Sequence, residues 1–146
     1  MVKAVRIGVI AEEQNDVDVI YELTCKIIKE NHFSFLRFLG HGCGKVRRKC
    51  CIWGQNLVDR GCSHIVVLHD LDRRDEKELR TMLEKEIGNV NTGHQVVLIP
   101  TEELEAWLLS DTKSLKAVFN MRKEPKVSKS PEKISSPKEF LAKVVG

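Results

Sequence analysis

Apolar positions follow two rhythms along the chain. Short, nearly unbroken apolar runs at 3–10, 33–39, 65–68 and 95–99 alternate with stretches in which apolar residues recur every three or four positions. Brief apolar runs bounded by turn residues predict strands buried on both faces, and the three-to-four rhythm predicts helices lying over them. Val17, Ile20, Leu23, Thr24, Ile27 and Ile28 form the first helical stripe, with Asp16 or Asn15 as its cap. Val46, Ile52, Trp53, Leu57 and Val58 form the inward side of a basic helix over 46–60, closed by Gly61. Leu79, Met82, Leu83 and Ile87 mark a charged helix from Asp75 to about Gly88, whose remaining side chains read as a solvated face of i,i+4 pairs. After Pro100, Thr101 is expected to cap a helix that turns Leu104, Trp107 and Leu108 inward. Short helices are expected from Asp111–Thr112 through Phe119 and from Pro137 to Val145. Regular alternation of strand and helix predicts an α/β fold: a mainly parallel four-stranded sheet with helices on both faces.

The chain has 146 residues, enough for one domain with a sizeable core. The pattern divides it into a body over 1–120 and a tail over 121–146 that is rich in lysine, proline and serine and has no core of its own. The abrupt end suggests a truncated chain, or one that stops on a partner surface. The net charge of +3 carries no argument for nucleic acid, but the charge is clustered: Lys45, Arg47, Arg48 and Lys49 form one basic run. No apolar stretch approaches the ~20 residues that span a bilayer, and no secretory leader is present, so a cytoplasmic protein without a membrane partner is expected. Five cysteines make an odd count, which argues against a disulfide framework. Cys43, Cys50, Cys51 and Cys62 lie near His41 and His64, but no C-x2-C pair is present, so reduced thiols are expected rather than zinc.

The candidate chemistry sits at the strand ends. His64-Ile65-Val66-Val67-Leu68-His69 runs into Asp70-Leu71-Asp72. If the strand stays extended, the two aspartates share one side. Paired like charges are costly unless a cation compensates them, and a hard divalent ion such as Mg2+ prefers such oxygens. Glu12 follows the first strand, with Asp16 four residues on. Glu102 and Glu105 follow the fourth strand and, at i,i+3, would share a helix face, whereas Glu103 is read as a first-turn carboxylate placed for the helix dipole. Any one of these acids is accounted for as a cap or a solvated turn. Acids at three strand ends of one parallel sheet would instead gather in the crevice where such sheets bind ligands. The loop Gly40-His41-Gly42-Cys43-Gly44-Lys45 offers close backbone approach and a cation, but lacks the spacing and the Ser/Thr of a Walker A loop. A surface loop and a phosphate-contacting loop both remain open.

Glu12 after the first strand and Asp70-Leu71-Asp72 after a later one resemble the Toprim domain of topoisomerases, primases and overcoming-lysogenization-defect nucleases. The block from Ile99 to Asp111, with Glu105-Ala106-Trp107 at its centre, is similar to a Toprim-like family of bacterial proteins of unknown function (DUF4276-like). Gly44-Lys45 and Pro137-Lys138 also fit that family. Toprim sequences usually carry glycine where this chain has Glu13. The resemblance implies a Toprim-like fold and a Mg2+- or Mn2+-dependent nuclease. Asp70, Asp72 and Glu105 would hold the metal, Glu12 would act as general base or second-metal ligand, and Asp16 and Glu102 would complete the candidate ligand set. Lys45, Arg47 and Arg48 would grip the backbone of DNA or RNA. An ATPase or another operon-encoded partner is implied as well. The rival reading is a non-catalytic Toprim-like module that binds a metal or a partner protein. A receiver-like domain is the third reading and ranks last, because no fifth strand is visible.

Overall fold

A computed structural model describes residues 4–28, 32–42, 44–101, 103–127 and 130–146. The expected four strands form, as β1 (Val5–Ala11), β2 (Phe33–Leu39), β3 (His64–Leu68) and β4 (Gln95–Leu98). They make one sheet in the order β2-β1-β3-β4, and every pairing is parallel. The α/β expectation therefore holds, with an all-parallel, Rossmann-like sheet. The helices are α1 (Gln14–Ile27), α2 (Lys45–Asp59), α3 (Glu76–Gly88), α4 (Glu105–Leu109), α5 (Thr112–Val118) and α6 (Pro137–Val145), with one turn of 3-10 helix at Pro131–Lys133.

The chain divides into two compact units: Met1–His69 with Glu76–Leu98, and Asp70–Asp75 with Ile99–Gly146. The first holds the sheet and α1–α3. Strand alternation decides which helix lies on which face. Tyr21 of α1 meets Phe33 and Phe35, whereas Trp53 of α2 stacks on Phe38, 5.2 Å between ring centres. Odd and even positions of β2 point to opposite faces, so α1 covers one face and α2 the other. On the α2 face, Gly8 has no side chain, and Leu57 and Ile65 fill the space in front of it. α3 packs beside α2 and against β4. Val9, Ile10, Leu57, Ile65, Val67, Leu68, Leu79 and Leu83 form the closed core of this unit.

Some expected core positions are not buried. Ile52 is 63% exposed and Ile27 79%, and Leu23 and Ile28 are also exposed. In α2, Val46 and Leu57 are buried as expected, joined by Cys50 and Gly54. Within the first unit, α1 packs on β1 and β2 whereas α2 and α3 pack on one another, and the end of the α1 apolar stripe is exposed.

In the second unit, α4 packs against α5, α6 and the 3-10 turn, and Leu104, Ala106, Leu109 and Leu115 are buried. Trp107 and Leu108 face outward, contrary to expectation. Pro131 and Pro137 are buried, so part of the proline-rich stretch packs against its own unit. Thr101 is not the cap of α4, which starts four residues later at Glu105 with Leu104 as N-cap. Asp111 caps α5 by accepting the Ser114 N–H at 3.1 Å.

Candidate functional site

The order β2-β1-β3-β4 sends the chain from β1 outward to β2 on one side and from β3 outward to β4 on the other. The carboxyl ends of β1 and β3 therefore flank the switch point, where open parallel sheets bind ligands. Backbone bonds extend beyond the strands here. Gly40 N–H reaches Ala11 O at 2.9 Å, His41 N–H reaches Glu12 O at 2.8 Å, and His69 N–H reaches Leu98 O at 3.0 Å. These bonds fix Glu12 and His69, the first residues past β1 and β3, at the same edge of the sheet.

His69 is the one polar side chain fully buried among the described residues, at 1% exposure. Its Nε2 lies 2.9 Å from Nη1 of Arg47, in the first turn of α2. A guanidinium has no lone pair to offer, so Nε2 must accept. The ring is then neutral, with its proton on Nδ1. Glu12 Oε1 lies 4.0 Å from the same Nε2. Two acceptors at that distance form neither a hydrogen bond nor an ion pair. Glu12 and the Arg47 guanidinium are each placed against the same atom, Nε2 of the buried His69. Lys45 and Arg48, beside Arg47, are exposed. No acidic residue offsets them in that first turn. Cations there oppose the helix dipole, at about 0.3–1 kcal/mol each, so α2 gains no stability from them.

Asp16 and Glu13 have local backbone roles. Asp16 Oδ2 accepts the Glu13 N–H at 3.1 Å, which closes the first turn of α1 with Glu13, not Asp16 or Asn15, as N-cap. Glu13 is exposed, and its backbone is extended at φ −135°, a conformation open to any residue. Nothing local requires glycine at this position.

The remaining acids belong to the second unit. β3 ends at Leu68, and Asp72 and Arg73 are left-handed at φ 48° and 60°. The alternation that would have placed Asp70 and Asp72 on one side of an extended strand therefore does not apply. Asp70 is half-buried, and its Oδ1 accepts the Leu104 N–H at 3.0 Å, which ties the start of α4 to this segment. Asp72 is exposed. Together with Arg73, Glu103, Ser136 and Lys138 it lines a cavity of about 260 Å3. Glu103 Oε1 accepts the Lys138 N–H at 3.2 Å and so caps α6, not its own helix. Glu105 is half-buried in the first turn of α4. Glu102 and Cys43 lie outside the described residues. The i,i+3 face expected for Glu102 and Glu105 lies outside the described residues along with Glu102.

Among the described residues, no three His, Cys, Asp or Glu side chains are grouped closely enough to hold a metal ion. Mg2+ is commonly held by one or two carboxylates, with water and substrate phosphate filling the rest of its shell. Among the described residues the carboxylates therefore form no complete cage. No helix among the described residues is long and apolar enough to cross a membrane.

A family model described as "Domain of unknown function (DUF4276)" matches residues 18–145. The chain belongs to the DUF4276 family. No curated protein and no solved structure matches it. The DUF4276 match includes Arg47, His69, Asp70, Asp72 and Glu105, whereas Glu12 and Asp16 precede it. His69 is the residue that reading the sequence passed over. A histidine ending an otherwise apolar buried run needs a polar partner, and that was the available signal.

Proposed function

We propose that this DUF4276 chain is a Toprim-type, divalent-metal-dependent phosphoryl-transfer enzyme on nucleic acid, most simply a nuclease. The observation that carries this reading is the grouping of Glu12, buried His69 and the Arg47 guanidinium at the switch point of an all-parallel sheet. In sequence, Asp70 and Asp72 follow directly. Arg47, with exposed Lys45 and Arg48 on the same helix turn, grips phosphodiester oxygens; this is a salt-dependent and sequence-independent contact. Glu12 takes the proton of the attacking water as general base. Asp70, Asp72 and Glu105 are the residues that would hold Mg2+ or Mn2+. When bound, the ion supplies charge neutralisation at the scissile phosphate and a more acidic water. An operon-encoded ATPase partner belongs to the same proposal.

The test is divalent-dependent cleavage of plasmid and single-stranded DNA. Asp70→Asn is the informative variant, because it removes the charge and keeps an oxygen for the Leu104 amide. Activity that EDTA abolishes and that falls at least a hundredfold in Asp70→Asn supports the proposal. Equal cleavage by wild type and variant, above a mock purification, removes it. The non-catalytic module is favoured by one observation: Asp70 and Glu103 each accept a backbone N–H within the second unit. For that reading, calorimetry with millimolar Mg2+ or Mn2+ shows no heat, and nucleic acid stays intact.

A further inference from the structure

We infer that the cavity at the amino-terminal edge of the sheet is a binding site for an amphipathic carboxylate, a small molecule with an unbranched apolar body and one ionised carboxyl group. The site lies at the opposite end of the strands from Glu12 and His69 and is independent of the nucleic-acid reading. Its volume is about 470 Å3, within the range of small-molecule pockets. Strand register builds its floor. Val66 of β3 and Val96 of β4 are partners in the sheet, and His64 and His94 stand two residues before them. Alternation puts His64 on the same face as the valines, and the His94 ring stacks on it, so a row of two imidazoles borders an apolar row. Ile7 pairs with His64 from β1. The end of α1 supplies the wall with Ile27 and Ile28. Ile27, Ile28 and Val96 are all exposed, and an apolar body laid in the cavity would remove them from water.

The hydrogen-bonding groups of the lining select the head group. Thr24 donates its hydroxyl to Ile20 O at 2.7 Å, and Gln95 donates through Nε2 to Val90 O and Thr92 O. Neither side chain has an N–H or O–H left for a ligand, so the two imidazoles are the side-chain donors of the lining that remain. Their ring centres are 4.5 Å apart and their planes 15° from parallel. Ring nitrogens bind a metal in the plane of the ring, and near-parallel planes do not converge on one ion. The pair is suited instead to sharing a proton. Ser63 Oγ meets His64 Nδ1 at 2.8 Å, which leaves Nε2 for a ligand. Burial, and then His94, hold His64 below the usual histidine range. From β1 and α1 the cavity receives Ile7, Thr24, Ile27 and Ile28, none of them ionisable, so no carboxylate of the lining offsets a proton on the pair. An anion supplies that counter-charge. A carboxylate only accepts hydrogen bonds, and it matches donors at the edge with apolar surface behind them.

The test titrates the full chain with sodium octanoate, below its micelle concentration, and follows the histidine Cε1–H signals by NMR. Saturable shifts of the His64 and His94 signals are expected. Hexanoate binds roughly tenfold more weakly, since each buried methylene is worth about three- to fourfold. Octanoate raises the His64 midpoint, so binding takes up a proton. Affinity therefore rises at least about fivefold from pH 7.5 to pH 5.5, where the carboxylate is still mostly ionised. Octylammonium, with the same body and the opposite charge, binds at least about tenfold more weakly than octanoate. Ile27→Asp, at an exposed position, weakens octanoate about tenfold. Replacing both imidazoles, His64→Gln with His94→Gln, removes the pH dependence and keeps the chain-length dependence. The wild-type comparisons stand whether or not that double variant folds. The proposal is overturned by the absence of any imidazole shift, by equal binding of octylammonium, by an affinity that does not change with pH, or by unchanged affinity in folded Ile27→Asp. It is also overturned by a wild-type dimer, seen in sedimentation equilibrium, that Ile27→Asp dissociates and octanoate does not, because a second copy of the chain then fills the cavity.

Discussion

Gly8 is the position where the packing that brings α2 to β1 can be tested quantitatively. A Cβ at Gly8 would meet Leu57 Cδ1 at 2.8 Å, Ile65 Cδ1 at 2.9 Å and Leu57 Cβ at 3.0 Å. The two methyl ends can rotate away, but Leu57 Cβ is attached to the helix backbone and moves only with α2. Both neighbours are fully buried, so there is no empty space to take up the displacement. Overpacking of this kind costs about 1–3 kcal/mol. Replacing glycine in a strand interior returns at most about 1 kcal/mol. The expected net loss for Gly8→Ala is about 1–2 kcal/mol, or roughly 3–8 °C in melting temperature for a chain of this size. Leu57→Ala alone removes a fully buried leucine and costs about 2–5 kcal/mol. The added methyl occupies part of that cavity, so the double variant should be less destabilised than the sum of the singles by at least about 1 kcal/mol. Urea unfolding followed by circular dichroism gives all three values. A Gly8→Ala protein as stable as wild type, or strict additivity in the double variant, refutes the packing described. Because α2 carries Arg47, Gly8→Ala should also weaken oligonucleotide binding.

Three further outcomes follow from particular contacts. Asp70→Ala strands the Leu104 amide and should cost about 1–3 kcal/mol, while Asp70→Asn stays within about 0.5–1 kcal/mol of wild type; thermal melts separate the two. Burial pushes the Cys50 thiol up to about 11, so at pH 8 mass spectrometry should find Cys50 unalkylated by iodoacetamide under conditions that label Cys51. Burial, and then the charge of neighbouring His94, hold His64 below the usual histidine range. The folded state therefore binds that proton less readily than the unfolded chain. Its contribution is present above the unfolded value near 6.5 and is lost as pH falls through the folded one. His64→Gln should flatten the fall in stability on the acid side of about pH 6.5, measured by urea titration at several pH values.

The fold was legible because strands buried in a parallel sheet must be apolar on both faces. β3 carries that pattern without interruption over 65–68, and β2, expected over 33–39, keeps those limits although Ser34 and Arg37 break its apolar run. Helix burial was less legible, because periodicity marks an apolar stripe and does not show whether anything covers it. Leu23, Ile27 and Ile52 lie on such stripes and face outward. The site was partly legible. Glu12 and Arg47 were both singled out in the sequence, and each lies against His69 Nε2 at one edge of the sheet. His69 was not found, since its role depends on an arginine 22 residues away. The capping work of Asp70 and Glu103 was equally hidden, because the amides they hold belong to Leu104 and Lys138, far along the chain. The left-handed turn at Asp72 and Arg73 broke the strand alternation with no glycine to announce it.

The most direct measurement of the proposed activity is single-turnover cleavage of a 5′-labelled single strand by excess protein in Mn2+. Wild type, Glu12→Gln and Asp70→Asn are compared at matched folding. The account predicts EDTA-sensitive cleavage by wild type and a loss of at least a hundredfold in each variant, with binding of the strand in EDTA largely retained. Cleavage rates equal in all three proteins, or no cleavage by a wild type that binds the strand and Mn2+, would contradict it.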